Sequence, residues 1–140
     1  MERQSGEDGA TRHPVVLVVD DEVLIRNLVT MLMQGEGYYA LSASDGMEGL
    51  QLSRSYSGII DLVITDVSMP RLNGIELCTR LIEERPGIKS IVMSGGEVSG
   101  IVRTNLGLEF LPKPFDGEEL KARVHAILSE PARKHGQTPS

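Results

Sequence analysis

The run Val15-Val16-Leu17-Val18-Val19 is apolar at every position and stops abruptly on two carboxylates, Asp20 and Asp21. A strand with one wet face alternates polar and apolar residues. A continuous β-branched run needs cover on both faces, which is the condition of a strand in a parallel sheet flanked by helices. This feature narrows the fold to the α/β class, and it places an acidic pair where the strand ends.

The rest of the chain supplies matching parts. Leu24, Leu28, Met31 and Leu32 recur at helical offsets and predict the apolar side of a first helix, closed by Gly35 and Gly37. Tyr38–Ala43 predicts a weaker second strand. Ser44 or Asp45 can cap a second helix carrying Met47, Leu50 and Leu52, with its exit at Ser55–Gly58. A third strand, Asp61–Thr65, runs into Asp66. A third helix carries Ile75, Leu77, Leu81 and Ile82 and stops at Arg85-Pro86-Gly87, with Glu83-Glu84-Arg85 read as its solvated end.

A fourth strand, Ile88–Met93, ends at Ser94-Gly95-Gly96, and a fifth, Leu108–Leu111, ends at Pro112-Lys113-Pro114. A last helix is capped by Asp116 and carries Leu120, Val124, Ile127 and Leu128. Between strands four and five only Val98, Ile101, Val102 and Leu106 can form an apolar side. Gly100 weakens a helix there by about 1 kcal/mol relative to Ala, so this fourth helix is expected to be short, shifted or loose. Five strand–helix units imply a single-domain, doubly wound (βα)5 fold of flavodoxin-like type, with a parallel five-stranded sheet of order 2-1-3-4-5.

Length and composition agree with one domain. The chain has 140 residues, 40% hydrophobic and 24% charged, enough for a core built from Val, Ile, Leu and Met. Residues 1–13 and 130–140 read as flexible polar tails around a domain at 14–129. The net charge of −6 argues against a nucleic-acid face and against an anionic membrane. No apolar run approaches ~18 residues, and no signal peptide opens the chain. Cys78 stands alone and is expected to be a small buried residue in a reducing, cytoplasmic setting. His13, His125 and His135 show no metal spacing and read as surface. Met31, Met33, Met47 and Met93 read as gap fillers.

In an open parallel sheet every strand points its C-terminal end at one edge, where ligands bind. The polar residues collected there are Asp20 and Asp21 from strand one, Asp66 from strand three, Ser94 from strand four and Lys113 from strand five. Three carboxylates repel one another unless a cation sits among them. With no His or Cys cluster beside them, they suit a hard divalent ion, foremost Mg²⁺. Together with Lys and a hydroxyl, such an ion neutralises the oxygens of a phosphoryl group in flight. A carboxylate can then act as nucleophile and form an acyl phosphate.

Four stretches in order resemble the signatures of the response-regulator receiver family. They are Val-Val-Asp20-Asp21-Glu22, Ile64-Thr65-Asp66-Val67-Ser68-Met69-Pro70 with Asn73-Gly74, Val92-Met93-Ser94-Gly95, and Leu111-Pro112-Lys113-Pro114-Phe115. The similarity runs from about Val15 to about Ser129. It implies that Asp66 is the phosphoacceptor, that Asp21 binds Mg²⁺ directly, and that Asp20 acts partly through water. It implies the backbone carbonyl of Ser68 as a further metal ligand, Ser94 as the switch hydroxyl, and Lys113, followed by a cis bond to Pro114, as the partner of the phosphoryl group. Met69 matches a loop residue beside the acceptor. Phe110 falls where a switch aromatic sits, and is equally well read as core.

The resemblance also implies the partners. A histidine kinase or phosphotransfer protein supplies the phosphoryl group. A downstream protein, or a fused kinase or output domain, receives the signal through the face of the fourth helix, strand five and the last helix. The same face allows a phosphorylation-dependent homodimer. Direct DNA binding and membrane contact are not expected, nor is catalysis beyond the chain's own phosphorylation and dephosphorylation. Two rival readings remain. A Mg²⁺-dependent phosphatase-like enzyme commonly has a second acid two residues after the nucleophile, where this chain has Ser68. A receiver fold used only as a binding platform would not need all five site residues.

Overall fold

The fold was analysed in a computed structural model that describes residues 12–95 and 107–130. The predicted fourth helix, between strands four and five, lies almost wholly outside the described residues, as do His135 and most of both tails.

Five parallel strands form one sheet in the order β2-β1-β3-β4-β5. The elements follow one another as β1 (Val15–Val19), α1 (Val23–Gly35), β2 (Tyr39–Ala43), α2 (Gly46–Ser55), β3 (Leu62–Asp66), α3 (Gly74–Glu84), β4 (Lys89–Ser94), β5 (Glu109–Pro112) and α4 (Gly117–Leu128). The continuous apolar run of β1 is explained by two separate cores. Val15, Leu17 and Val19 pack with Leu50, Leu77 and Leu81 of α2 and α3. Val16 and Val18 point the other way, to Val29 and Met33 of α1 and Leu120 and Val124 of α4. Every residue of β1 and of β3 is buried.

Helix starts follow the sequence closely. Asp45, not Ser44, caps α2 by accepting the Glu48 N–H at 2.8 Å. Ser44 instead donates its hydroxyl and its N–H to Glu48 Oε1. Asn73 and Glu76 form a reciprocal capping box at α3, and Asp116 caps α4.

Three expectations are corrected. The apolar stripe assigned to α1 is largely its outer face: Leu24 is 82% exposed, Met31 65% and Leu28 46%, while Val29 and Met33 are buried. Ile25 and Leu32 complete the packed side. The helix is apolar on both sides, so spacing alone could not say which side meets the sheet. Met31 is accordingly no gap filler. Arg85 is not a solvated helix end. Its guanidinium donates to Ser53 Oγ and to the carbonyls of Ser53, Tyr56 and Gly58, at 2.7–2.8 Å. These groups lie at and beyond the C-terminus of α2, where helix carbonyls lack intrahelical partners. Its neighbour Glu84 receives Arg54 of α2 at 2.7 Å.

Two further ties hold the sheet edge where the strands begin. Arg12, read with the tail, pairs with Asp61, which also accepts the Val15 N–H. Lys89, at the start of β4, donates to the carbonyls of Ile127 and Glu130 at the end of α4.

Candidate functional site

Asp20 leaves β1 at the opposite edge. Its N–H donates to Ala43 O at 3.2 Å, its carbonyl accepts Arg26 Nη1 at 2.9 Å, and its Oδ1 accepts the Glu22 N–H at 2.9 Å. Oδ2 is buried without a hydrogen-bond partner. A bare buried carboxylate oxygen is costly. Burial raises the Asp20 carboxyl to about 6; the Glu22 N–H opposes this, and the nearby Asp66 adds to it.

Asp66 closes β3 and is also buried. Its neighbour Val67 donates to Met93 O at 3.1 Å, which ties the end of β3 to β4. Asp21 is exposed at the rim. One carboxylate oxygen from each of Asp20, Asp21 and Asp66 lies within 4.8 Å of the others. Among the described residues this is the one cluster of at least three potential metal-ligating side chains. The acidic oxygens and the unpartnered Asp20 Oδ2, with no His or Cys joining the cluster among the described residues, fit a hard divalent cation.

Lys113 follows β5. Its N–H donates to Ser94 O at 2.7 Å, locking the ends of β4 and β5 together. Its Nζ reaches Asp66 Oδ1 at 2.9 Å and stands 3.9 Å from Glu22. Burial works against the ammonium, but the bond to Asp66 and the charges of Asp66, Asp20 and Glu22 outweigh it, so Lys113 titrates above its ordinary range. The Lys113–Pro114 bond is cis. Ser94 is buried at the end of β4, paired in register with Pro112. Asp66, Ser94 and Lys113 therefore stand at the ends of three neighbouring strands.

Ser68 is exposed on the loop after Asp66. Val67, Ser68, Met69, Pro70, Asn73 and Ile75 line an open cavity there. Phe110 is half-buried against the core on the α2–α3 side, and its carbonyl accepts Arg123 at 3.3 Å. Sequence reasoning missed Arg26, whose role depends on a backbone carbonyl six residues back. It also missed the Arg71–Asp45 ion pair. Neither has a motif that marks it, since each partner becomes visible only once the turns are folded.

Relatives carry the same frame. The family model described as response regulator receiver domain matches residues 16–125. The alkaline phosphatase synthesis transcriptional regulatory protein SphR of Synechococcus elongatus is 33% identical over 135 residues, covering 89% of this chain and 52% of that protein. The sensor kinase CckA of Brucella abortus is 34% identical over 119 residues, 82% of this chain but 12% of that protein. The chain spans about half the length of the first curated relatives it matches. Among solved structures, the receiver domain of the hybrid histidine kinase CckA superposes with a TM-score of 0.71 at 34% identity, covering 82% of this chain and 99% of that one. With the acidic cluster and the lysine at the ends of a β2-β1-β3-β4-β5 sheet, the match over most of its length makes this chain a member of the response regulator receiver domain family of two-component signalling.

Proposed function

We propose that Asp66 accepts a phosphoryl group from a phosphohistidine on a kinase or phosphotransfer protein. The observation that carries this reading is Lys113 Nζ, 2.9 Å from Asp66 Oδ1 and beside the Asp20–Asp21 pair. Asp20, Asp21, Asp66 and the Ser68 carbonyl would hold Mg²⁺. Bound there, the ion supplies charge neutralisation for the phosphoryl oxygens. Asp66 attacks phosphorus in line, the P–N bond breaks, and the departing imidazole takes up a proton. Lys113 steadies the transferred oxygens, and the sheet edge holds donor and acceptor in place.

On the phosphorylated chain, Ser94 turns its hydroxyl to the new group and Phe110 follows. This shifts a pre-existing equilibrium at the surface around β5 and α4. The chain catalyses only its own phosphorylation and dephosphorylation. None of the described helices is long and apolar enough to cross a membrane, and we place the reaction in the bacterial cytoplasm. The outer stripe of α1, Val23, Leu24, Leu28 and Met31, begins two residues after Asp21. It offers an apolar seat for the helices of the donor.

Incubation with Mg²⁺ and acetyl phosphate, read by intact mass, is expected to add one phosphate to the wild type and none to Asp66→Asn. Equal labelling of both proteins rules the assignment out.

A further inference from the structure

The loop from Val67 to Asn73 carries Ser68. Its Val67 and Leu72 side chains are buried in the core on the α2–α3 side, and its base is closed by a backbone bond. The Gly74 N–H donates to Val67 O at 2.9 Å. A Cβ at Gly74 would lie 2.1 Å from Asp66 O, so no larger residue fits without moving the acceptor strand.

The outer side is held differently. Arg71 adopts φ +71°, a left-handed conformation that an L side chain disfavours and glycine normally fills. Across it, the Leu72 N–H donates to Pro70 O at 2.8 Å, which makes a tight three-residue turn. The Arg71 guanidinium pairs with Asp45 Oδ2. Asp45 is itself anchored, since Oδ1 caps α2 and the side chain is largely buried. The next residue presses on the same turn: a Cβ at Gly46 would lie 2.3 Å from Leu72 O. One steric and one ionic contact thus fasten the loop tip to the start of α2.

The Arg71 side chain is 67% exposed while that of Asp45 is 11% exposed, so solvent screens the arginine end and the pair adds only modestly to folding stability. A strained residue held by a charged partner beside a site instead serves to preorganise it. We propose that Arg71 and Asp45 are a positioning pair that fixes the loop carrying Ser68 and so sets the affinity of the acidic site for Mg²⁺. The inference rests on the reading that places the Ser68 carbonyl among the metal ligands.

The test is a Mg²⁺ titration of the full ¹⁵N-labelled chain, followed at the amides of Asp20, Asp21 and Asp66, with urea unfolding in parallel. Arg71→Gln and Asp45→Asn are each expected to raise the Mg²⁺ Kd about three- to tenfold, the cost of ordering a loop no longer braced. The double variant should be no worse than the weaker single, and Arg71→Lys should restore most of the loss. At saturating Mg²⁺, labelling by acetyl phosphate should stay within about twofold of wild type. An unchanged Kd in either single variant overturns the proposal, as do losses that add in the double variant. If the wild type shows no Mg²⁺-dependent shift at all, the metal reading fails and the inference with it. If the wild type binds and the variants bind equally well, the inference alone fails.

Discussion

Lys113 Nζ and Asp66 Oδ1 meet at 2.9 Å across 47 positions of sequence, and this contact sets a positive charge directly against the acidic cluster of Asp20, Asp21 and Asp66. Removing it leaves like charges facing each other in a poorly solvated edge. Lys113→Ala is expected to lower stability in metal-free buffer by about 1–2 kcal/mol, discounted for the partly exposed lysine. Added Mg²⁺ should recover most of the loss. Asp66→Asn removes one of the repelling charges and should raise the urea midpoint. Equal destabilisation by both variants would contradict a site dominated by repulsion.

Asp45 predicts an acid-sensitive helix start. The Glu48 N–H and then Arg71 hold its carboxyl below the ordinary carboxylate range, with burial opposing them. A depressed native pKa stabilises the fold above the unfolded value of about 3.9, and that contribution is lost as pH falls through the native value. The stability advantage of wild type over Asp45→Asn should therefore be full at neutral pH and shrink below pH ~4. Urea midpoints from pH 7 down to 3 test this. A constant gap would show that the charge contributes nothing.

Arg85 predicts a local weakness at the far end of the same helix. Arg85→Leu removes four hydrogen bonds to the end of α2. The expected loss is about 1–3 kcal/mol, since carbonyls lose partners at a half-buried place. Amide exchange should quicken in the last turn of α2 more than in α3 or α4. A uniform change across the three helices would argue against a local clamp.

The exposed stripe of α1 predicts a separation between two phosphoryl donors. Leu24→Asp and Leu28→Asp place charge on side chains already facing solvent, so stability should move by no more than about 0.5 kcal/mol. Labelling by acetyl phosphate should be unchanged. Transfer from a phosphorylated kinase or phosphotransfer domain should fall about tenfold or more. A parallel fall with both donors would place the damage in the acceptor site instead of the docking face.

Strand positions and the acidic edge were legible because they are written in local chemistry. A five-residue apolar run rich in β-branched residues and stopped by a carboxylate pair fits a doubly covered strand, and the carboxylates then fall at the sheet edge. Asp20, Asp21, Asp66, Ser94 and Lys113 were placed together by that logic, and the structure brings their strand ends side by side. What escaped reading depends on partners distant in sequence or on geometry without a residue signature. Arg85 looks like any charged helix end until the groups 27–32 residues before it fold beneath it. Leu24 and Val29 are both apolar, and only the packing of α1 against the sheet leaves one outward and the other in the core. Arg71 gives no hint in sequence that it occupies a glycine-like conformation.

The lysine at the start of β4 has a consequence for how such a unit joins to others. Ser94 and Lys89 mark the two ends of one strand, roughly 17 Å apart. Lys89 holds the last carbonyls of α4, while Arg12 and Val15 are held at Asp61, just ahead of β3. Incoming and outgoing polypeptide thus share the rim opposite the acidic mouth. The described chain therefore enters and leaves the sheet on the side away from Asp66, so neither Arg12 nor Glu130 stands across the approach to the acidic mouth.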